Sequence, residues 1–262
     1  MRMSGNLSAV RRTKRPIAAL GVIAVMTLGP AACGGSSDET VARVAGVGTV
    51  TRGAVEHWIP IEARLAYSVV PKRPVPDGVV PVPPAYTACI AYLMTHGQKL
   101  VETGPKPTTA QLKSKCAQQY QQLKQTVLGL LITWDWTIGT GAAAGMKASD
   151  AEVRQRLESI AKNDLVGVPF NRYLQYTGQT LADMLLRSRV SLFEEKFRQG
   201  LVAMAKLLPK GMTDQERRAA VAKLAAGLPT EQQWVARTSC SPGYVTSSCR
   251  QYKGPLQPGF PN

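Results

Sequence analysis

The sequence predicts a mainly α-helical domain with a small N-terminal β element. Three observations predict it. Apolar residues recur every three or four positions over long stretches, the spacing of a helix buried along one side. Capping residues and prolines stand at the edges of those stretches. Strict alternation is confined to a few residues near position 41.

The first 32 residues read as an export signal. Arg2, Arg11, Arg12, Lys14 and Arg15 make a positive start, and Ile17 to Leu28 is apolar and uncharged. That run has 12 residues, short of the ~18 or more of a membrane-spanning helix. Pro30-Ala31-Ala32-Cys33 then resembles a bacterial lipobox, with Pro30 where leucine is usual. The resemblance implies that Cys33 is acylated and becomes the first residue of the mature chain. The plain alternative is an ordinary cleaved signal with an incidental cysteine. Gly34-Gly35-Ser36-Ser37 reads as a tether.

Val41 to Ala45 alternates like a strand, Gly46-Val47-Gly48 offers a turn, and Thr49 to Thr51 is extended again. Thr51 suits the N-cap of a helix carrying Val55, Trp58, Ile59, Ile61 and Leu65. Pro60 lies inside that pattern and predicts a kink or a break. Six prolines between 69 and 84 exclude a regular helix there. A short helix fits within Pro84 to His96, followed by a loop to Pro107.

Leu112, Cys116, Tyr120, Leu123, Val127, Leu130, Trp134 and Ile138 form the longest helical stripe, over 108–138. Such a helix is about 45 Å long, and Gly139 to Gly145 is expected to end it. Ser149 and Glu152 make a capping box for a helix to about Lys162. Pro169 to Tyr176 predicts one short helix. Thr180 caps a longer one, with Leu181, Leu185, Leu192, Phe193, Phe197, Leu201 and Met204 on its apolar side, until Pro209 and Gly211. Thr213 and Thr230 start two more, ending near Ala226 and Arg237. The tail from Ser239 holds four prolines and three glycines and is expected to be irregular.

Removing residues 1–32 leaves 27 basic against 17 acidic residues, a net charge of +10. Such an excess favours anionic partners: lipid headgroups, envelope polymers or acidic peptides. No basic-aromatic array supports nucleic acid. Cys89, Cys116, Cys240 and Cys249 remain after Cys33, an even number in an exported chain, and so predict disulfides. Of three possible pairings, proximity favours Cys89–Cys116 and Cys240–Cys249.

Side-chain chemistry points to a binding protein. The chain has two histidines, His57 and His96, and no metalloprotease, hydrolase, phosphate-loop or dinucleotide motif. Glu194 and Glu195 are adjacent and so point to different sides of a helix. No catalytic residue, metal or cofactor is assigned.

Three segments together resemble the SurA and PrsA type of exported foldase. One is Val41 to Gly46 with Thr49 to Arg52, a strand pair entering a helix, with Ala45 where the family has asparagine. Another is Met146 to Val153, like the family's Ser-Asp-Ala-Glu-Val helix start. The third is Phe170, Leu174, Gly178, Thr180, Leu181, Leu185, Arg189, Val190, Leu192 and Lys196, with Arg189 and Val190 in reversed order. The match covers about half of the mature chain. Isomerase members carry a parvulin domain of about a hundred residues after this point. Here 66 residues follow Lys196, without a histidine.

The resemblance implies a SurA-like helical chaperone domain without the isomerase. Its expected domains are a signal peptide (1–32), a lipidated tether (33–40), a helical domain (41–238) with a Pro-rich insertion (69–107), and a disulfide-closed tail (239–262). The expected function is a holdase or foldase, lipid-anchored on the extracytoplasmic face of a membrane. It would bind unfolded or nascent exported polypeptides in an apolar helical cradle. Trp134, Trp136, Met184, Phe197 and Met204 are the client-contact candidates, the plain alternative being that all five are core. The rival functions are a peptidyl-prolyl isomerase and an assembly lipoprotein dedicated to one envelope partner.

Overall fold

A computed structural model of the chain describes residues 38–96, 106–165, 167–209, 211–225 and 227–254. The expected signal segment, residues 1–32, and Cys33 lie outside them. The described part is mainly helical with one three-stranded sheet.

Strands β1 (Thr40–Val44) and β2 (Gly48–Thr51) pair antiparallel. Gly46 supplies the left-handed turn between them (φ 79°). Thr51 ends β2 and caps α1 (Arg52–Tyr67), its hydroxyl accepting from the Ala54 N–H at 3.1 Å. The predicted break at Pro60 does not occur, and α1 is continuous through it. Ile59 and Ile61, on either side, are 3% and 1% exposed. Their burial outweighs the single backbone hydrogen bond that the ring removes.

A short 3-10 turn at Asp77–Val79 and α2 (Thr87–His96) form the insertion. Tyr86 enters α2 with a left-handed backbone (φ 58°), and its ring is buried against Cys89 and Cys116. The long helix α3 (Thr109–Ala143) starts at a Thr108–Gln111 capping box and runs five residues past its predicted end. Gly139 and Gly141 do not stop it. A Cβ on Gly139 would stand 2.6 Å from Trp234 and Val47, and one on Gly141 2.3 Å from Phe193. These glycines allow close packing, and buried neighbours offset their weak helix propensity.

Helix α4 (Asp150–Asn163) starts at the expected Ser149–Glu152 box. It lies along α6 (Leu181–Leu207), with α5 (Phe170–Thr177) between them in sequence. Lys196 on α6 reaches Glu152 at 2.6 Å, and Arg189 reaches Asp150 at 2.7 Å. The Lys196 and Ser149 hydrogen bonds hold the Glu152 carboxyl down at about 2. Thr180 caps α6 through Asp183, and Thr213 and Thr230 stand before α7 (Asp214–Ala225) and α8 (Glu231–Arg237).

The tail is not wholly irregular. Thr238–Cys240 forms β3 on the free edge of β1, giving the order β2-β1-β3. Gln251 bonds both the N–H and the carbonyl of Cys240, at 3.2 Å each. The Cys240–Cys249 loop thereby closes the outer edge of the sheet, which would otherwise offer unpaired backbone groups. Both predicted disulfides are present.

The main core lies between the sheet, α1, the second half of α3, α6 and α8, and includes Val41, Val44, Ile61, Leu128, Ile132 and Trp234. A separate cluster of Tyr86, Cys89 and Cys116 sits under the insertion.

Candidate functional site

Of the client-contact candidates, the four whose side chains are described line neither of the two clefts found among the described residues. Trp136 and Met184 are core residues, 9% and 3% exposed. The Trp136 indole N–H donates to Thr238 Oγ1 at 2.9 Å, and Thr238 in turn donates to the Trp234 carbonyl. This ties α3 to β3 and α8, so Trp136 has a structural task. Trp134 packs against the same core, edge-on to Trp58 at 4.9 Å. Phe197 is half-buried on α6, and the Met204 side chain is outside the described residues. The apolar stripes held Trp134, Phe197 and Met204 but not Trp136 or Met184, because α3 meets partners on several sides. Its buried positions therefore shift from the Leu112–Cys116–Val127 line to Leu128, Leu131, Ile132 and Trp136.

Charged side chains span the seam between α1 and α6. Glu62 pairs with Arg187, whose guanidinium stands over the rings of Trp58 and Trp134 at 5.1 and 5.5 Å. Burial raises the Glu62 carboxyl, and Arg187 partly offsets this. His57 Nε2 donates to both oxygens of Asp183 at 2.9 and 3.0 Å. Asp183 Oδ2 also accepts from the Thr180 N–H and hydroxyl at 2.7 Å each. The carboxylate is thus committed to a helix cap and a cross-helix tie. This pair was invisible in the sequence because its members are 126 positions apart. Among the described residues, no group of three His, Cys, Asp or Glu side chains is placed to hold a metal ion.

Asp135 is the unusual group of α3. It stands against Gly48 of β2, and its Oδ2 is buried without a hydrogen-bond partner. Desolvation pushes its carboxyl up to about 6.

The feature that sequence reasoning missed is a cleft of about 360 Å³ where the insertion meets the frame. Ala63, Ala66 and Tyr67 of α1 make one wall, Val79 and Pro81 a second, Tyr92 and Leu93 of α2 a third. Gln119, Gln122, Leu123 and Thr126 of α3 complete it. Gly78 sets the position of the second wall, since a Cβ there would lie 2.1 Å from the Tyr92 Cβ. Among the described residues of the lining, the tyrosine hydroxyls are the only titratable groups. Tyr67, Val69, Val82 and Met94, four of the six large exposed apolar side chains among the described residues, belong to the cleft or to chain beside it. The cue available in the sequence was the dense mixing of valine and proline from 69 to 84, read there only as a stretch that no regular helix can cross.

A second cleft of similar volume lies between the β1–β2 turn, the end of α3 and α8, over Trp234. No helix among the described residues is long and apolar enough to cross a membrane. No family model matches the chain, and neither a curated protein nor a solved structure matches it.

Proposed function

We propose that the protein is an extracytoplasmic chaperone, a holdase or foldase for unfolded exported polypeptides, tethered to the membrane through acylated Cys33. The observation that carries the reading is the cleft between α1, α2 and α3 with its exposed apolar rim. Exposed large apolar groups gathered beside a concavity mark interaction surfaces. The described lining offers side-chain amides, aliphatic groups and tyrosine rings, which suit many segments. Contacts of this kind are individually weak, so a client would be held by several and released readily. The three segments that resemble exported foldases, and the lipobox, support the same reading.

The test is suppression of aggregation of a denatured model client by the full chain at near-stoichiometric ratios. Failure to suppress removes the reading. A proline-limited refolding assay separates holdase from isomerase, because uncatalysed isomerisation takes tens of seconds or longer. The expected outcome is an unchanged rate. Cys33→Ala is expected to release the protein from membranes, since stable attachment needs more than one acyl chain or signal.

A further inference from the structure

We infer that the cleft between α1, α2 and α3 takes an extended apolar segment flanked by acidic residues, an inference that rests on the chaperone reading. Concavity argues for a chain segment over a bilayer. A flat lipid surface does not enter a cleft of about 360 Å³ whose walls come from α1, the 3-10 turn, α2 and α3. That volume holds a few side chains at a time, so the segment lies extended with part of it outside.

The lining sets the chemistry of the middle of the segment. It offers Ala63, Leu93 and Leu123 for apolar side chains, and Gln119 and Gln122 for backbone N–H and carbonyl groups. A charged side chain in that position would lose hydration without gaining an ionic partner among the described lining residues.

The flanks are set by the loop that joins Tyr67 to Gly78, two residues of the cleft wall. It carries Lys72 and Arg73, both exposed, and neither has an anionic partner among the described residues. The loop's single acid is Asp77, at the start of the 3-10 turn. An aspartate or glutamate beside the apolar stretch would therefore be attracted to this rim and a lysine would not. Because the pair is exposed, the preference is expected to act mainly on association rate and to weaken with salt.

The experiment uses the full chain carrying Cys33→Ser and two fluorescein-labelled probes, Asp-Asp-Val-Leu-Val-Phe-Ala-Ser and Lys-Lys-Val-Leu-Val-Phe-Ala-Ser. Anisotropy is expected to show the aspartate probe bound about tenfold more tightly at low salt. Lys72→Glu with Arg73→Glu is expected to reverse that order. Gln122→Trp, at an exposed position on the cleft wall, is expected to weaken both probes alike. Equal affinities, or a preference unchanged by the double substitution, overturn the inference while aggregation suppression leaves the chaperone reading standing. Suppression with neither probe bound places clients elsewhere and also overturns it. Binding to phosphatidylglycerol vesicles lost in the double variant, with no peptide preference, makes the rim a lipid contact instead. Loss of suppression itself removes the chaperone reading.

Discussion

Around the sheet, side chains far apart in sequence bury one another; under the insertion, Tyr86, Cys89 and Cys116 make a small separate cluster in which the two cysteines are joined by a disulfide. The frame draws on β1, α1, α3, α6, α8 and β3, so no single contact decides it. The insertion's own cluster has three buried residues, and a core that small does not hold a structure by itself. The insertion is instead pinned to α3 by Cys89–Cys116 and carries a left-handed Tyr86 to fill its centre. A covalent link therefore fastens the insertion, whereas the frame rests on a packed core with a disulfide at its sheet edge, and the cleft lies where the two meet.

The largest test of that contrast is removal of each disulfide. By loop entropy, Cys89–Cys116 contributes about 3.5 kcal/mol and Cys240–Cys249 about 2.5–3 kcal/mol. Cys89→Ala with Cys116→Ala is expected to abolish hydrogen-exchange protection in α2 and the start of α3, with β1 and the second half of α3 still protected. Cys240→Ala with Cys249→Ala is expected to lower the melting temperature of the whole frame, because β3 and its edge depend on that loop. Equal, global unfolding by both pairs breaks the division.

Asp135 tests how much strain the frame tolerates. Its carboxyl is raised from 3.8 to about 6 by burial. The folded state therefore holds the proton more tightly than the unfolded chain does. The stabilising contribution is complete below the unfolded value and is lost as pH rises through about 6. Urea titrations should show a loss of up to about 3 kcal/mol between acid and neutral pH. Asp135→Asn should remove that dependence and stabilise the protein at neutral pH. A wild-type profile flat across this window would mean that Asp135 reaches solvent or a cation.

Two glycines of α3 refine the contrast within one helix. Gly139→Ala drives a Cβ into Trp234 and Val47 and is expected to cost about 1–3 kcal/mol. A Cβ on Gly129 meets nothing within 4 Å, so Gly129→Ala is expected to stabilise by about 0.5–1 kcal/mol. Denaturant midpoints decide both signs.

What was legible in the sequence was local. Thr51, Ser149, Thr180, Thr213 and Thr230 signalled helix starts because a capping side chain bonds within three residues of itself. The disulfide partners were near neighbours, 27 and 9 positions apart. What was not legible was distant or multi-sided. Strand β3 has three residues, too few for a period, and pairs with β1 about two hundred positions away. Gly139 looks like a helix stop unless Trp234 is known to press on it. His57 and Asp183 announce nothing until α1 and α6 lie together. The cleft was hidden for the same reason, since its walls come from four separate stretches.

The smallest test uses the same chemistry in both regions. Thr108–Gln111 begins α3 beside the insertion, and Thr230–Gln233 begins α8 in the frame; both are complete capping boxes. Replacing either threonine by alanine removes one backbone partner and is expected to cost about 1 kcal/mol. The sites differ in what lies behind the cap. Behind Thr230 stand the buried Trp234 and Thr238, which reach α3 through hydrogen bonds from Trp234 to Thr140 and from Trp136 to Thr238. Thr230→Ala should therefore lower the stability of the whole frame. Behind Thr108 stand the buried Leu112 and Cys116, and the disulfide joins Cys116 to the insertion. Thr108→Ala should speed exchange over the first two turns of α3 and leave the frame's midpoint unchanged. If Thr108→Ala instead lowers that midpoint by the full amount, insertion and frame unfold as one cooperative unit, and the disulfide is reinforcing a common core.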